Sequence, residues 1–198
     1  MKQLVLASHN KGKLAEFRDM LGGLVEEIRS AADYHLPEPA ETGTTFVENA
    51  LIKSHAAMQA TKLPALADDS GLSVDALSGS PGVYSADWAG IPRDFDRAMK
   101  KLHDALSGNV NGQKARFISV LTLSRPDRDD EVFEGVCEGT LVWPPRGAGG
   151  FGYDPMFVPD GHKITFSEMT EEKKNTLSHR AKAVEQLTAF LANDIVVG

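Results

Sequence analysis

Two adjacent carboxylates, Asp68 and Asp69, are the residues of this sequence whose types and spacing most clearly suggest chemistry. They lie between apolar runs at residues 64–67 and 72–74, and a Ser-Gly pair follows them at residues 70–71. This pattern predicts a strand, a tight turn and a second strand, with both carboxylates held at the turn. Because neighbouring side chains of extended backbone point to opposite faces, at least one carboxylate must face the interior or a cleft.

An ionised carboxylate in such a place is costly unless a cation or hydrogen-bond donors accompany it. Mg²⁺ takes hard oxygen ligands of this kind and is usually held by one or two carboxylates together with substrate phosphates. The stretch therefore indicates a magnesium site for a phosphorylated substrate. The composition Asp-Asp-Ser-Gly is also ordinary for a turn, so a solvated turn is the alternative at this point.

A polar segment at residues 8–13 has the position of a phosphate-binding loop. It follows an apolar run at residues 3–7, which predicts a buried strand, and it precedes apolar residues at helical spacing. The N-terminus of a helix binds anions through its free N–H groups and its dipole, and Lys11 and Lys13 add positive charge. The segment lacks the Walker pattern G-x-x-x-x-G-K-[ST]. A plain strand-to-helix connection with surface lysines is the alternative.

A glycine-rich loop at residues 144–155 is the most unusual segment of the chain. It holds four glycines between a pair of prolines at its start and a single proline at its end, and it carries Phe151 and Tyr153. Long irregular loops in compact domains are usually functional, and the two aromatic rings are suited to stacking on a base. The alternative is a long hairpin connection whose aromatic rings pack back onto the sheet.

Two cationic residues, His179 and Arg180, occupy the predicted first turn of an amphipathic helix that begins after Ser178. Cations at a helix N-terminus oppose the macrodipole. Their presence there indicates an anionic or carbonyl-bearing ligand, and a solvated first turn is the alternative.

Another helix is predicted from a capping box formed by Thr45 and Glu48, and it runs to about Thr61. Glu41 precedes this helix and Lys53 lies within it. Taken alone, Glu41 is interpreted as an exposed loop acid. Lys53 is interpreted as a solvated helix lysine unless its face of the helix lines a cleft.

The remaining periodicity predicts further strands and a helix. Residues 115–123 and 131–143 form a long antiparallel pair of strands. Short strands are predicted at residues 25–29 and 156–159, and an amphipathic helix is predicted at residues 93–106. No linker or repeat divides the chain, so a single domain over residues 1–198, in two lobes, is expected.

The bulk composition excludes several classes of protein. The chain is 41% hydrophobic and 25% charged, as soluble globular proteins are. A net charge of −7 argues against a protein that binds duplex nucleic acid. The single cysteine, Cys137, excludes an internal disulfide and a zinc site built from several cysteines. No apolar run approaches the ~18 residues of a membrane span, so we expect a cytoplasmic protein without a membrane partner.

Several short motifs occur together in one order along the chain. They are Ser8-x-Asn10-x-x-Lys13, Glu41-Thr42-Gly43, Phe46-x-Glu48-Asn49-Ala50, Ala67-Asp68-Asp69-Ser70-Gly71-Leu72, Pro81-Gly82-Val83-Tyr84-Ser85-Ala86, Gly150-Phe151-Gly152-Tyr153-Asp154-Pro155 and Ser178-His179-Arg180. Each motif is weak alone, but together they cover essentially the whole chain. With these motifs the sequence resembles the inosine/xanthosine triphosphate pyrophosphatases in their bacterial form.

This resemblance implies an α/β fold with a long, curved mixed β-sheet and flanking helices in two lobes around a central cleft. It implies Mg²⁺-dependent hydrolysis of ITP, dITP or XTP to the nucleoside monophosphate and pyrophosphate, which removes deaminated purines from the nucleotide pool. It also implies a homodimer that binds a small-molecule purine nucleoside triphosphate and no nucleic acid.

The resemblance also assigns roles to single residues. Asp69 is implied as the general base and, together with Glu41, as a metal ligand, and Lys53 as a further phosphate contact. The residues implied in substrate binding are Ser8, His9, Asn10, Lys11, Gly12 and Lys13 for the triphosphate, Ser70 as a substrate contact, Phe151, Gly152, Tyr153 and Asp154 around the base, and Lys174, His179 and Arg180, which complete the site.

The chemistry of these residues suits the implied reaction. Hydrolysis of a phosphoanhydride needs charge neutralisation on the leaving group and a positioned water. Arg180 and His179 can donate hydrogen bonds to a 6-oxo group, and a 6-amino group would leave those donors unpaired. Guanine also has a 6-oxo group, so its rejection requires features beyond these donors. The alternatives are a related pyrophosphatase for modified or ordinary pyrimidine nucleotides and a nucleotide sensor without catalysis.

Overall fold

A computed structural model describes the backbone of residues 1–197 and the side chains of these residues except 11, 12, 16 and 195–197. The helices and strands are β1 (Gln3–Leu6), α1 (Lys11–Leu21), β2 (Glu27–Ser30), α2 (Phe46–Thr61), β3 (Ala65–Val74), α3 (Phe95–Ala105), β4 (Lys114–Ser124), β5 (Glu131–Leu141), β6 (Phe157–Pro159), α4 (Glu171–Leu177) and α5 (His179–Val197). Short 3₁₀ turns connect several of them.

The strands form one six-stranded sheet in the order β2-β1-β3-β4-β5-β6. Strand β1 pairs in parallel with β2 and with β3, whereas β6 pairs antiparallel with β5. The sheet is therefore mixed. The predicted α/β class, a mixed sheet with helices, is confirmed.

Strands β4 and β5 form the predicted antiparallel pair. The N–H of Leu141, at the end of β5, donates to the carbonyl of Gln113, just before β4 begins, at 2.9 Å. Only six residues, 125–130, connect the two strands, and such a short connection permits an antiparallel hairpin but no parallel crossover.

The prediction of a hairpin at the paired carboxylates is wrong, because both lie within strand β3. This strand runs without interruption from Ala65 to Val74, so Asp68 and Asp69 lie inside a strand and not at a turn. The strand has a hydrogen-bonded neighbour on each side and is buried at nearly every position. Ladder hydrogen bonds and burial therefore prevail over the turn preference of Ser-Gly, because strand propensity depends strongly on context.

Helix starts follow the side-chain caps that the sequence predicts. At α2, Thr45 accepts a hydrogen bond from the N–H of Glu48 at 3.1 Å, and Glu48 accepts from the N–H of Thr45 at 3.1 Å. At α5, the hydroxyl of Ser178 accepts from the N–H of Ala181 at 3.1 Å. Each cap satisfies N–H groups that the first turn of a helix leaves unpaired.

The chain divides into two compact units. The first contains residues 1–69, residues 120–134 and the C-terminal segment from Ala183, and the second contains residues 70–119 and 135–182. Each unit has a hydrophobic core of its own. The first packs Phe17, Leu66 and Leu187 among its buried residues, and the second packs Leu102, Phe157 and others. Within residues 1–197, no helix combines the length and the apolar character that crossing a membrane requires.

Candidate active site

In the first unit, the two carboxylates of β3 each have a lysine partner. Asp68 and Asp69 are both buried, and Asp69 exposes only 8% of its surface. An Oδ2 atom of Asp68 lies 2.8 Å from Nζ of Lys13. Oδ1 of Asp69 lies 2.9 Å from Nζ of Lys53. These ion pairs offset the cost of burying two neighbouring negative charges.

Lys53 is the centre of this cluster. Its ammonium group donates to Oε1 of Glu41 at 2.8 Å, to the backbone carbonyl of Asp68 at 3.0 Å and to Oδ1 of Asp69 at 2.9 Å. Its side chain is only 14% exposed. The interpretation of Lys53 as a solvated helix lysine is therefore wrong, because its face of α2 meets the middle of β3.

The loop that carries Glu41 is tied to the first turn of α2. The N–H of Gly43 donates to Oδ1 of Asn49 at 2.8 Å. A Cβ atom at Gly43 would lie 2.6 Å from Cβ of Glu48, so only glycine fits this approach. Lys53 follows Asn49 by one helical turn, which brings its ammonium group to Glu41. The spacing of these residues can be read from the sequence, but the contacts of Gly43 with Asn49 and of Lys53 with Glu41 cannot.

The electrostatics of the cluster favour a cationic lysine beside a basic carboxylate. Burial raises the pKa of Asp69, and the charges of Glu41 and Asp68 raise it further, whereas Lys53 opposes the rise. Burial alone would lower the pKa of Lys53, but Asp69 and Glu41 outweigh it and raise that pKa. A carboxylate with a raised pKa is a better proton acceptor near neutral pH.

The cluster has the oxygen atoms that a hard divalent cation needs. Oδ2 of Asp69 is buried and, in the part of the chain that the structure describes, has no hydrogen-bond partner. Such an orphaned carboxylate oxygen is costly unless a ligand contacts it. Glu41 is partly exposed beside it. No group of three metal-binding side chains was found among the described residues, but Mg²⁺ is commonly held by one or two carboxylates together with phosphates and water.

Residues 8–13 connect β1 to α1 as predicted. The hydroxyl of Ser8 accepts from the N–H of Asn10 at 3.1 Å, and Oδ1 of Asn10 accepts from the N–H of Lys13 at 3.2 Å. Asn10 thus caps α1. The predictions for Lys11 and Gly12 fall outside the residues whose side chains the structure describes.

The ring of His9 is occupied by the protein itself. Its Nε2 lies 2.7 Å from the carbonyl of Leu36, and its Nδ1 lies 3.2 Å from Oε1 of Glu38. Both nitrogen atoms therefore face the loop before Glu41. The substrate contact of His9 that the family resemblance implied stays a prediction.

The second unit holds the other predicted site residues, around Asp154. This carboxylate is buried, forms an ion pair with Lys174 and accepts a hydrogen bond from the N–H of Phe151 at 2.8 Å. Nζ of Lys174 also lies 4.4 Å from the centre of the Phe151 ring. The ring itself is 59% exposed, so its surface is available to a planar ligand.

His179 and Arg180 are buried, which contradicts a solvated first turn of α5. Nη2 of Arg180 donates to the hydroxyl of Ser70 at 3.3 Å, and its guanidinium lies 5.8 Å from the centre of the Phe151 ring. The imidazole of His179 stacks on Phe117, with ring centres 4.9 Å apart and planes at 14°. Both side chains therefore lie inside the second unit, beside its aromatic residues Phe117 and Phe151.

The two aromatic residues of the glycine-rich loop have different environments. Phe151 is exposed, but Tyr153 is only 2% exposed, and its hydroxyl donates to the carbonyl of Ser85 at 2.9 Å. The ring of Tyr153 also packs edge-on against Phe95. Stacking of the Tyr153 ring on a base therefore does not fit the structure, because core packing already covers this ring.

The glycine-rich loop requires glycine at residue 150. The φ of Gly150 is +72°, and a Cβ atom there would lie 2.3 Å from Oδ2 of Asp154. The left-handed backbone and the close approach both exclude a side chain. Gly152, with φ of +66°, needs only the backbone freedom, because its nearest neighbour would be Phe95 at 3.7 Å.

Comparison with known proteins shows which family this chain is similar to. A model of the Ham1 family matches residues 4–190. A dITP/XTP pyrophosphatase from Ruegeria pomeroyi is 56% identical over 187 residues, which cover 92% of each chain. A dITP/XTP pyrophosphatase from Mesorhizobium japonicum is 53% identical over 200 residues, which cover 93% of this chain and 91% of that protein.

Solved structures agree with these matches. A HAM1 protein from Coxiella burnetii superposes with a TM-score of 0.91 at 40% identity, covering 98% of this chain and 100% of its own. The Ham1 protein of Staphylococcus aureus gives a TM-score of 0.90 at 36% identity, with the same coverage. The resemblance that the sequence motifs indicate is thereby confirmed.

Proposed function

The chain belongs to the Ham1 family, and we propose that it is a nucleoside triphosphate pyrophosphatase for deaminated purines. It hydrolyses ITP, dITP and XTP to the nucleoside monophosphate and pyrophosphate, and so removes these nucleotides from the pool. The observation that carries the proposal is the buried Asp69, whose Oδ2 is without a partner in the described chain. The dITP/XTP pyrophosphatases among its relatives support the choice of substrate.

In this proposal the first unit handles the phosphates. The helix N-terminus at residues 8–13 and the ammonium group of Lys13 bind the triphosphate, because both attract anions. Asp69 accepts a proton from the attacking water at Oδ2, the oxygen atom that Lys53 does not contact. Its raised pKa favours this transfer.

Mg²⁺ is the proposed cofactor, and Glu41 and Asp69 are the residues that would hold it. When bound, it supplies charge neutralisation to the phosphates. Glu41 is partly exposed and lies on the same lysine as Asp69, so the two carboxylates together offer the oxygen ligands that a hard cation prefers. Lys53 keeps the two carboxylates on the same ammonium group.

The second unit recognises the base. The exposed face of Phe151 takes the purine ring by stacking. Arg180 and His179 donate hydrogen bonds to the 6-oxo group of hypoxanthine or xanthine, with Ser70 as a further polar contact. Adenine carries a 6-amino group that would leave these donors unpaired, and sites of this type can discriminate by roughly 10⁴ or more.

A panel of nucleoside triphosphates tests the proposal. Pyrophosphate release is measured with Mg²⁺ for ITP, dITP, XTP, the four ordinary ribonucleotides and dTTP, and the nucleotide product is identified. We expect the deaminated purines to be hydrolysed fastest, with the monophosphate as product. Faster turnover of a pyrimidine nucleotide would establish the pyrimidine pyrophosphatase instead, and tight binding of ITP without pyrophosphate release would establish the sensor.

The homodimer and the cytoplasmic location stay predictions. The first rests on the family resemblance, and the second on the sequence. Sedimentation of the purified protein measures the first.

A further inference from the structure

Tyr153 joins the glycine-rich loop to a segment that precedes it by almost seventy residues. Its hydroxyl donates to the backbone carbonyl of Ser85 at 2.9 Å, and both residues are buried. The ring lies edge-on to Phe95, with ring centres 5.6 Å apart. This contact holds the loop at the second residue after Phe151, the residue proposed to stack on the base.

Ser85 in turn joins that segment to β3. Its hydroxyl accepts from the N–H of Leu72 at 2.9 Å and donates to the carbonyl of Gly82 at 2.6 Å. Leu72 is the second residue after Ser70 along the strand. A single serine therefore contacts the strand through its side chain and Tyr153 through its backbone.

Arg180 links Ser70 to Phe151 directly, inside the second unit. It donates to the hydroxyl of Ser70 at 3.3 Å, and its guanidinium lies 5.8 Å from the centre of the Phe151 ring. Phe151 and Ser70 are thus related twice, once through Arg180 and once through Tyr153 and Ser85. A loop fixed at both sides keeps its geometry, whereas a loop rich in glycine would otherwise sample many conformations.

We infer that Tyr153 and Ser85 are positioning residues for base selection, which set the distance between the Phe151 ring and the Ser70–Arg180 pair. The inference rests on the proposed function, because the distance between the Phe151 ring and Arg180 matters for selection only if the site binds a base. Neither residue needs to touch the substrate. Stacking and hydrogen bonding to the same base both depend on this distance, so a change in it weakens binding of the preferred base more than binding of a poor one.

The substitution Tyr153→Phe tests this inference, since it removes the hydroxyl and keeps the ring that packs on Phe95. Tyr84→Phe is the matched control, because it also removes a tyrosine hydroxyl, and Tyr84 is next to Ser85 in the sequence but 55% exposed. KM and kcat are measured for ITP and for ATP, whose 6-amino group cannot accept from Arg180, and thermal melting is followed by circular dichroism.

For Tyr153→Phe we expect KM for ITP to rise about tenfold, which corresponds to the loss of one buried hydrogen bond, with kcat within about twofold of the wild type. The ratio of kcat/KM for ITP to that for ATP is expected to fall. Tyr84→Phe is expected to leave all of these values unchanged.

A wild-type KM and a wild-type ITP-to-ATP ratio in Tyr153→Phe would overturn the inference, even if the melting temperature falls, because a merely structural contact affects stability alone. Ser85→Ala provides the second variant, should Tyr153→Phe fail to fold. It removes the acceptor for the N–H of Leu72, and the same rise in KM is expected. A wild type without preference for ITP over ATP would overturn the proposed function, whereas a clear wild-type preference that Tyr153→Phe leaves unchanged would overturn the positioning role alone.

Discussion

Nζ of Lys53 lies 2.9 Å from Oδ1 of Asp69, while Oδ2 of the same carboxylate is buried and has no partner in the described part of the chain. The two oxygen atoms of one side chain thus have different environments. One is held by a cation that also contacts Glu41. The other is left for a ligand, which is the arrangement that a positioned proton acceptor requires.

Removal of the proton acceptor is the most direct test of this site. Asp69→Asn is expected to lower kcat for ITP by about 10²- to 10⁴-fold, the usual contribution of a general base, and to keep most of the nucleotide affinity. Pyrophosphate release and calorimetric titration with ITP measure the two effects. Asp75→Asn, at an exposed acid paired with Arg116, is the control and should behave as the wild type. Retained turnover in Asp69→Asn would remove Asp69 from the mechanism.

Lys53 is expected to set the pH range in which Asp69 accepts a proton. Lys53 lowers the pKa of Asp69 against the effect of burial, so the substitution Lys53→Met raises that pKa further. Because Asp69 must be deprotonated to accept a proton, the acid limb of the profile of kcat against pH should move to higher pH. Lys100→Met, at an exposed lysine paired with Asp104, serves as the control. An unchanged acid limb in Lys53→Met would show that another group governs it.

Glu41 is expected to set the affinity for the metal and not that for the base. Chelation with EDTA should abolish turnover of ITP, and added Mg²⁺ should restore it. In Glu41→Gln the Mg²⁺ concentration for half-maximal turnover should rise about tenfold or more, because a hard cation loses a charged ligand. Glu26→Gln, at an exposed acid in the same unit, is the comparison. Identical Mg²⁺ curves for the two variants would contradict the role of Glu41.

Alanine substitutions at two glycines with similar backbone angles distinguish the effect of backbone strain from that of a steric clash. Gly150 and Gly161 have φ of +72° and +81°, but only a Cβ atom at Gly150 would collide, at 2.3 Å from Oδ2 of Asp154. Both alanine substitutions should cost about 1–2 kcal/mol of stability for left-handed backbone, seen as a lower melting temperature.

Only Gly150→Ala should also raise KM for ITP, because the clash displaces the Asp154–Lys174 ion pair beside Phe151. Gly161→Ala has open space around its Cβ atom and should keep the wild-type KM. Equal KM values in the two variants would show that the Asp154–Lys174 ion pair has no role in base binding.

Much of the local structure could be predicted from the sequence, because its causes lie within a few residues of one another. The caps of α2 and α5 are examples: Thr45 with Glu48 and Ser178 with Ala181 form hydrogen bonds across three residues. The strand propensity of the residues in β4 and β5 is equally local. The order of the short motifs along the chain indicated the family for the same reason, since no knowledge of the packing was needed.

The contacts between distant residues were decided by the tertiary structure. Lys53 and Asp69 are sixteen residues apart, and Tyr153 and Ser85 are sixty-eight residues apart. Whether a lysine of a helix reaches solvent or a carboxylate depends on which face of the helix meets the sheet. Whether an aromatic ring is exposed or buried depends on the core beside it, as Phe151 and Tyr153 show.

The sequence by itself determined which chemical groups are present and where helices begin, through hydrogen bonds that form within one turn. Only the tertiary structure decided that Asp69 lies inside a continuous strand and receives the ammonium group of Lys53. The physical reason is that ladder hydrogen bonds and burial are properties of neighbouring strands, and these outweigh the turn preference of the two residues that follow Asp69.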